Sequence, residues 1–177
     1  MLNLKFFKTV LTDFWRVAMI TPSSKYVVDK ILKQFKKEHL QIVEYGAGDG
    51  VITKRILKYL PEDGKITAIE INKNFLEDLR KINDERLIVA GGDILDIIKT
   101  IKKADIVVSG IPFSHISKKN REKIVKQTAN LLNKDGLFIV YQITPILLRI
   151  LRKYFTKTEL FFEPRNLPPL FIMISKK

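Results

Sequence analysis

The run Val43-Glu44-Tyr45-Gly46-Ala47-Gly48-Asp49-Gly50 constrains this chain more than any other stretch. Three glycines alternate directly after an apolar, strand-like segment and directly before a helix-like one. A strand that ends this way must turn at once, with no side chains in the turn. Backbone N–H groups at such a turn can come close to a ligand, and the following helix adds its partly positive N-terminus. The spacing is Glu-x-Gly-x-Gly-x-Gly, not the Gly-x-Gly-x-x-Gly of dinucleotide sites.

The pattern after this turn alternates between strand and helix. Strands are expected at Leu40–Tyr45, Lys65–Glu70, Arg86–Ala90, Ala104–Ser109 and Leu137–Ile143, with a closing pair at Lys157–Phe162 and Leu170–Ser175. Helices are expected between them: Val51–Tyr59, one capped by Asn72 and running to about Ile82, a short one to about Ile101, and one capped by Ser117 and running to about Asn133. Lys134-Asp135-Gly136 is the expected stop of the last of these, and Pro145–Tyr154 is a further expected helix. Such alternation predicts an α/β fold: a Rossmann-like, doubly wound, mostly parallel seven-stranded sheet with the last strand antiparallel.

Two helical patterns precede the sheet. In residues 4–19, Phe7, Val10, Leu11, Phe14 and Ala18 share one helical face, and Lys5, Lys8 and Arg16 lie on the other. A helix of this kind lies in a bilayer interface or packs on the domain's own core. Thr21-Pro22-Ser23-Ser24 punctuates, and a second helix is expected through about Lys37. The expected organisation is an amphipathic arm at 1–21 and one domain at 22–177.

Charge and composition narrow the partners. The formal net charge of +13 favours a polyanionic partner, either an anionic membrane surface or a nucleic acid. With no cysteine and only His39 and His115, neither disulfides nor a metal site is expected. The longest apolar run, Leu137 to Leu148, is broken by Gln142, Thr144 and Pro145 and is too short to span a bilayer. No secretory signal pattern is present, so a cytoplasmic, peripherally membrane-associated protein is expected.

The glycine run resembles motif I of class I S-adenosylmethionine (SAM) methyltransferases. That resemblance implies SAM as cofactor, with S-adenosylhomocysteine as product. It assigns Glu44, Gly46, Ala47, Gly48 and Gly50 to the cofactor loop. Glu70, at the end of the second strand and 20 residues past Gly50, would accept hydrogen bonds from the ribose hydroxyls, with Ile71 beside it. Asp93 would take the adenine amino group and Ile94 would cover the ring. Ser109-Gly110-Ile111-Pro112-Phe113 ends the fourth strand, where the methyl acceptor belongs; Ser109 falls on the cofactor side and Gly110 to Phe113 on the acceptor side.

The resemblance extends to the short bacterial phospholipid N-methyltransferases, which methylate phosphatidylethanolamine. It rests on Thr21-Pro22-Ser23-Ser24 after the amphipathic helix, on the glycine run, on Val107-Val108-Ser109-Gly110-Ile111-Pro112-Phe113 and on Asn166-Leu167-Pro168-Pro169. It implies a phospholipid substrate and attachment to an anionic membrane surface through the N-terminal helix. Asp49 and the Phe113…His115 pair depart from the family pattern, and the head group stays open between ethanolamine lipids, their methylated products and an ornithine lipid. Methyl transfer to an amine needs positioning and a deprotonated nitrogen. His115 is a candidate base, Tyr26 and Tyr141 could orient the amine, and Phe113 could stack on an alkylated ammonium. The main alternative is an rRNA or DNA adenine N6-methyltransferase. Those enzymes place Asn or Asp two residues before the loop proline, where this chain has Gly110. A third reading is a SAM- or lipid-binding module without catalysis.

Overall fold

The structure is a computed structural model and describes residues 24–177. The expected arm at 1–21 lies outside the described residues. The elements are α1 (Lys25–Leu32), β1 (Gln41–Tyr45), α2 (Val51–Tyr59), β2 (Lys65–Glu70), α3 (Lys73–Arg80), β3 (Leu87–Gly91) and α4 (Ile94–Ile97). They continue with β4 (Ala104–Ser109), α5 (Lys118–Leu131), β5 (Leu132–Gln142), α6 (Leu148–Tyr154), β6 (Lys157–Glu163) and β7 (Leu170–Lys176).

The strands form one seven-stranded sheet in the order β3-β2-β1-β4-β5-β7-β6. β1 to β5 pair in parallel, and β7 runs antiparallel between β5 and β6. The order reverses between β1 and β4, which opens a crevice beyond their carboxyl ends. The register aligns those ends: Tyr45 sits opposite Ile69 of β2 and Ser109 of β4. The glycine turn, the Glu70 turn and the Gly110 loop therefore emerge side by side.

Period-two alternation along the central strands builds a core on each face. Val43, Tyr45, Val107 and Phe138 face α5 and α6, where Ile124, Val125 and Leu151 cover them. Ile42, Ile66, Ile106 and Ile139 face α1 and α2, where Val27, Ile31, Ile52 and Ile56 do the same. The caps fall where the sequence places them: Asn72 Oδ1 accepts from Asn74 N at 3.0 Å, and Ser117 Oγ accepts from Asn120 N at 3.3 Å.

Three boundaries differ from expectation. α1 stops at Leu32, because the amides of Gln34 and Phe35 turn back to Ile31 and Leu32 in tighter i→i−3 bonds. α5 runs directly into β5 at Leu132, five residues early. Lys134-Asp135-Gly136 is an irregularity within β5, not a stop before it: pairing with β4 shifts after Ala104↔Leu132 and resumes at Ile106↔Leu137, with Asp135 at a φ of 64°. α6 begins at Leu148, after a turn in which Leu148 N donates to Pro145 O.

Candidate active site

A cavity of about 670 Å3 opens at the switch in strand order. Glu44, Gly46, Ala47, Gly48, Glu70, Ile71, Asp93 and Ile94 line one half, and Gly110, Ile111, Pro112 and Tyr141 line the other. The structure thus brings together twelve residues singled out from the sequence. Asn72 and Phe75, at the start of α3, join the first half; Gln142, Ile143, Asn166 and Pro168 join the second. Asn166 was visible only as part of a motif. Its Oδ1 accepts from Ser24 N at 2.9 Å and its Nδ2 donates to Pro168 O at 2.6 Å, which ties the β6–β7 loop to the start of α1.

The glycine turn works by close approach more than by free amides. Gly46 has a φ of +71°, and a Cβ there would lie 2.6 Å from Ile111 Cγ2 on the opposite wall. Its amide and that of Ala47 donate to Ile69 O, at 2.9 and 3.1 Å. Gly48 N donates to Glu70 Oε2 at 2.9 Å and Gly50 N to Ala47 O at 3.0 Å. These four amides are thus bonded within the protein, which corrects the expectation that they are held ready for a ligand. Gly50 does not line the cavity; it serves as the left-handed residue before α2.

Glu70 organises its side of the cavity. Oε1 accepts from Ile71 N at 2.8 Å and Asn72 N at 2.9 Å, while Oε2 holds Gly48. A carboxylate has about four lone-pair positions, so acceptor capacity remains toward the cavity. Asp93 Oδ1 caps α4 by accepting from Leu95 N at 2.7 Å, and its second oxygen is not used in that cap. Glu44 is 1% exposed; its Oε2 accepts from Thr53 Oγ1 at 2.6 Å, and its Oε1 has no partner. Burial pushes the Glu44 carboxyl up to about 8, helped by the nearby Glu70 and Asp49 and opposed by the Thr53 bond.

On the acceptor side Gly110 lies directly under Tyr141. A Cβ added at Gly110 would meet the Tyr141 hydroxyl at 2.1 Å. Ser109 is fully buried, and Phe113 is part of the core beneath the loop, so neither lines the cavity. Phe113 is thus placed to anchor the loop and not to stack on a ligand. His115 is exposed on a short 3-10 turn, Phe113–His115, and is also not among the lining residues. Tyr26 lies on α1 outside the cavity, with the Arg165 guanidinium over its ring at 3.9 Å. Sequence reasoning missed Arg121. From α5 its Nε donates to Phe113 O and Ile116 O, both at 2.7 Å, and an Nη to Ser114 O at 3.0 Å. Nothing in the sequence marks it, since a basic residue in a lysine-rich helix reads as surface.

The family description "Methyltransferase domain" matches residues 42–136, which run from β1 to the start of β5 and include the carboxyl ends of β1, β2, β3 and β4. The chain is a class I SAM-dependent methyltransferase. The enzyme is 30% identical over 162 residues to a protein named ornithine lipid N-methyltransferase from Singulisphaera acidiphila, covering 86% of this chain and 84% of that one. It is also 28% identical over 121 residues to ribosomal RNA small subunit methyltransferase A of Mycoplasmopsis synoviae, covering 67% of this chain but only 44% of the other. Its fold superposes on precorrin-6y C5,15-methyltransferase from Geobacter metallireducens GS-15 with a TM-score of 0.70 at 17% identity, over 86% of each chain.

The residues of the methyltransferase fit its cofactor. SAM carries positive charge on sulfur and on its amino group, and the cofactor half of the cavity is lined by Glu44, Asp49, Glu70 and Asp93. The orphaned Glu44 Oε1 and the remaining capacity of Glu70 would be completed by the cations and ribose hydroxyls of bound SAM. When bound, SAM supplies a methyl group on an electron-poor sulfur. The lining residues Glu44, Asp49, Glu70 and Asp93 would hold the cofactor, which would leave the Gly110–Pro112 loop and Tyr141 to position the methyl acceptor. Among the described residues, no group of His, Asp and Glu is gathered as a metal site.

Proposed function

We propose that this methyltransferase methylates the amino head group of a membrane lipid, of the phosphatidylethanolamine or ornithine-lipid kind. The observation that carries the reading is the acceptor wall. Gly110 offers no side-chain amide or carboxylate to grip a nucleobase amino group, and the Tyr141 hydroxyl fills the space where one would project. A hydroxyl there accepts one N–H of a small aliphatic amine and turns the nitrogen lone pair toward the methyl group. The proton of the incoming ammonium leaves to solvent through the open cavity mouth. The relative named for ornithine lipid N-methylation, with 84% of its length covered, supports the same reading. So does the rim: Ile71 is 69% exposed beside the cavity, and Leu167, between the lining residues Asn166 and Pro168, is 71% exposed.

No helix among the described residues is long and apolar enough to cross a membrane. The amphipathic segment at 4–19 is proposed to hold the enzyme on an anionic bilayer. One experiment tests the function: methyl-labelled SAM is supplied with vesicles of phosphatidylethanolamine or ornithine lipid, and separately with ribosomal RNA. Label in an amino lipid supports the proposal, and label in RNA alone overturns it. Removing residues 1–20 is expected to abolish sedimentation with anionic vesicles while SAM binding persists; undiminished sedimentation would refute the arm's role.

A further inference from the structure

The acceptor half of the cavity holds a polar group that the amine does not use. Gln142, the last residue of β5, lines the cavity and is 6% exposed. Its Nε2 has no hydrogen-bond partner. A buried donor left unmet is destabilising, and native proteins keep few of them. Such a donor facing a binding cavity is explained when the ligand supplies its acceptor.

Its position says where that acceptor lies. Successive residues leave a strand on opposite sides. Tyr141 packs with the cluster under α1 and α2, whereas Val140, two residues before Gln142, belongs to the cluster under α5 and α6. The end of β5 therefore addresses a ligand at two places, with the Tyr141 hydroxyl on one side and the Gln142 amide on the other.

Charge says what the acceptor is. The lining acids Glu44, Asp49, Glu70 and Asp93 all sit on the cofactor half, and the acceptor half (Gly110 to Pro112, Tyr141 to Ile143, Asn166) carries no ionised side chain. An oxyanion there meets a neutral donor and no neighbouring carboxylate, in a chain with a net charge of +13. We infer that Gln142 is a specificity-determining residue whose amide binds the oxyanion of a zwitterionic head group while the amine of that head group lies against Tyr141 and Gly110. This rests on the lipid reading above. The phosphate of phosphatidylethanolamine and the carboxylate of an ornithine lipid present the same chemistry to the amide.

The test compares wild type with Gln142→Met, which keeps the shape and removes the donor, and Gln142→Glu, which sets a carboxylate in its place. Each is assayed on vesicles of phosphatidylethanolamine, of ornithine lipid, and of stearylamine in neutral lipid, an amine with no oxyanion. For the head group that is bound, Gln142→Met raises KM roughly tenfold and Gln142→Glu raises it further. Both leave kcat within about threefold and raise the KM for stearylamine far less than that for the bound head group. An effect on phosphatidylethanolamine alone identifies a phosphate, and one on ornithine lipid alone a carboxylate. Equal losses on stearylamine would mean a structural role and overturn the inference, as would unchanged KM on every lipid. Wild-type enzyme that methylates no lipid would overturn the lipid reading together with this inference.

Discussion

The hydroxyl of Tyr141 occupies the space into which any side chain at position 110 would grow, only 2.1 Å from where a Cβ would stand. A loop residue and a strand residue thus share one position at the acceptor end of the cavity, and the strand residue holds it. Gly110→Ala forces Tyr141 aside. Turnover is expected to fall by about a hundredfold or more, as for other small displacements of positioning groups. The dissociation constant for SAM, measured by calorimetric titration, should change less than threefold, because the cofactor half is untouched.

Glu44 supplies a pH dependence whose sign is set by burial. Its carboxyl is raised from 4.5 to about 8, so between those values the folded protein holds a proton that the unfolded chain releases. This contribution to stability is fully present below 4.5 and is lost as pH rises through 8. Glu44→Gln removes it, so the stability difference between variant and wild type should grow in the variant's favour across that window, by on the order of a few kcal/mol. Thermal or urea unfolding at several pH values checks this in cofactor-free protein. SAM, which is cationic, favours the ionised carboxylate, so wild-type affinity should rise with pH relative to that of Glu44→Gln.

Arg121 holds three carbonyls of the loop after β4 with one planar guanidinium. Arg121→Ala is expected to cost about 2–3 kcal/mol of stability, since it strips charge-assisted bonds from part-buried carbonyls. Arg121→Lys should recover little of this, because an ammonium lacks the planar fork. Unfolding midpoints and turnover numbers should fall together, with turnover more affected than SAM affinity.

His115 is exposed and is not among the residues lining the cavity. His115→Ala should retain turnover within about threefold across the pH range, as expected for a residue outside hydrogen-bond reach of the substrate. A loss of a hundredfold with a displaced pH profile would return the histidine to the reaction as its base.

The cofactor half was legible in the sequence because its residues lie next to the strand ends that the alternating pattern predicts. Glu70 and Asp93 could be named because one ends a strand and the other lies two residues past one, and the position of a strand end is a local property. The acceptor half was legible only in part. Tyr141 and the Gly110–Pro112 loop were named, but Gln142 was not, since a glutamine in an apolar run looks like an interruption until the sheet shows which cavity it lines. Phe113 misled for the converse reason. An aromatic after a loop proline suits a ligand, and only the packing of α5 against the sheet turns it into the core.

The sequence by itself determined the class of fold, the order of its elements and the glycine turn beside an acid. Hydrophobic period and turn chemistry are written residue by residue. Which groups meet across the cavity was decided by the tertiary structure. The register of β1 with β2 and β4 brings Gly48 to Glu70, and the pairing of β4 with β5 brings Gly110 to Tyr141. These partners lie 22 and 31 residues apart, and no local pattern records a contact that exists only once the strands are side by side.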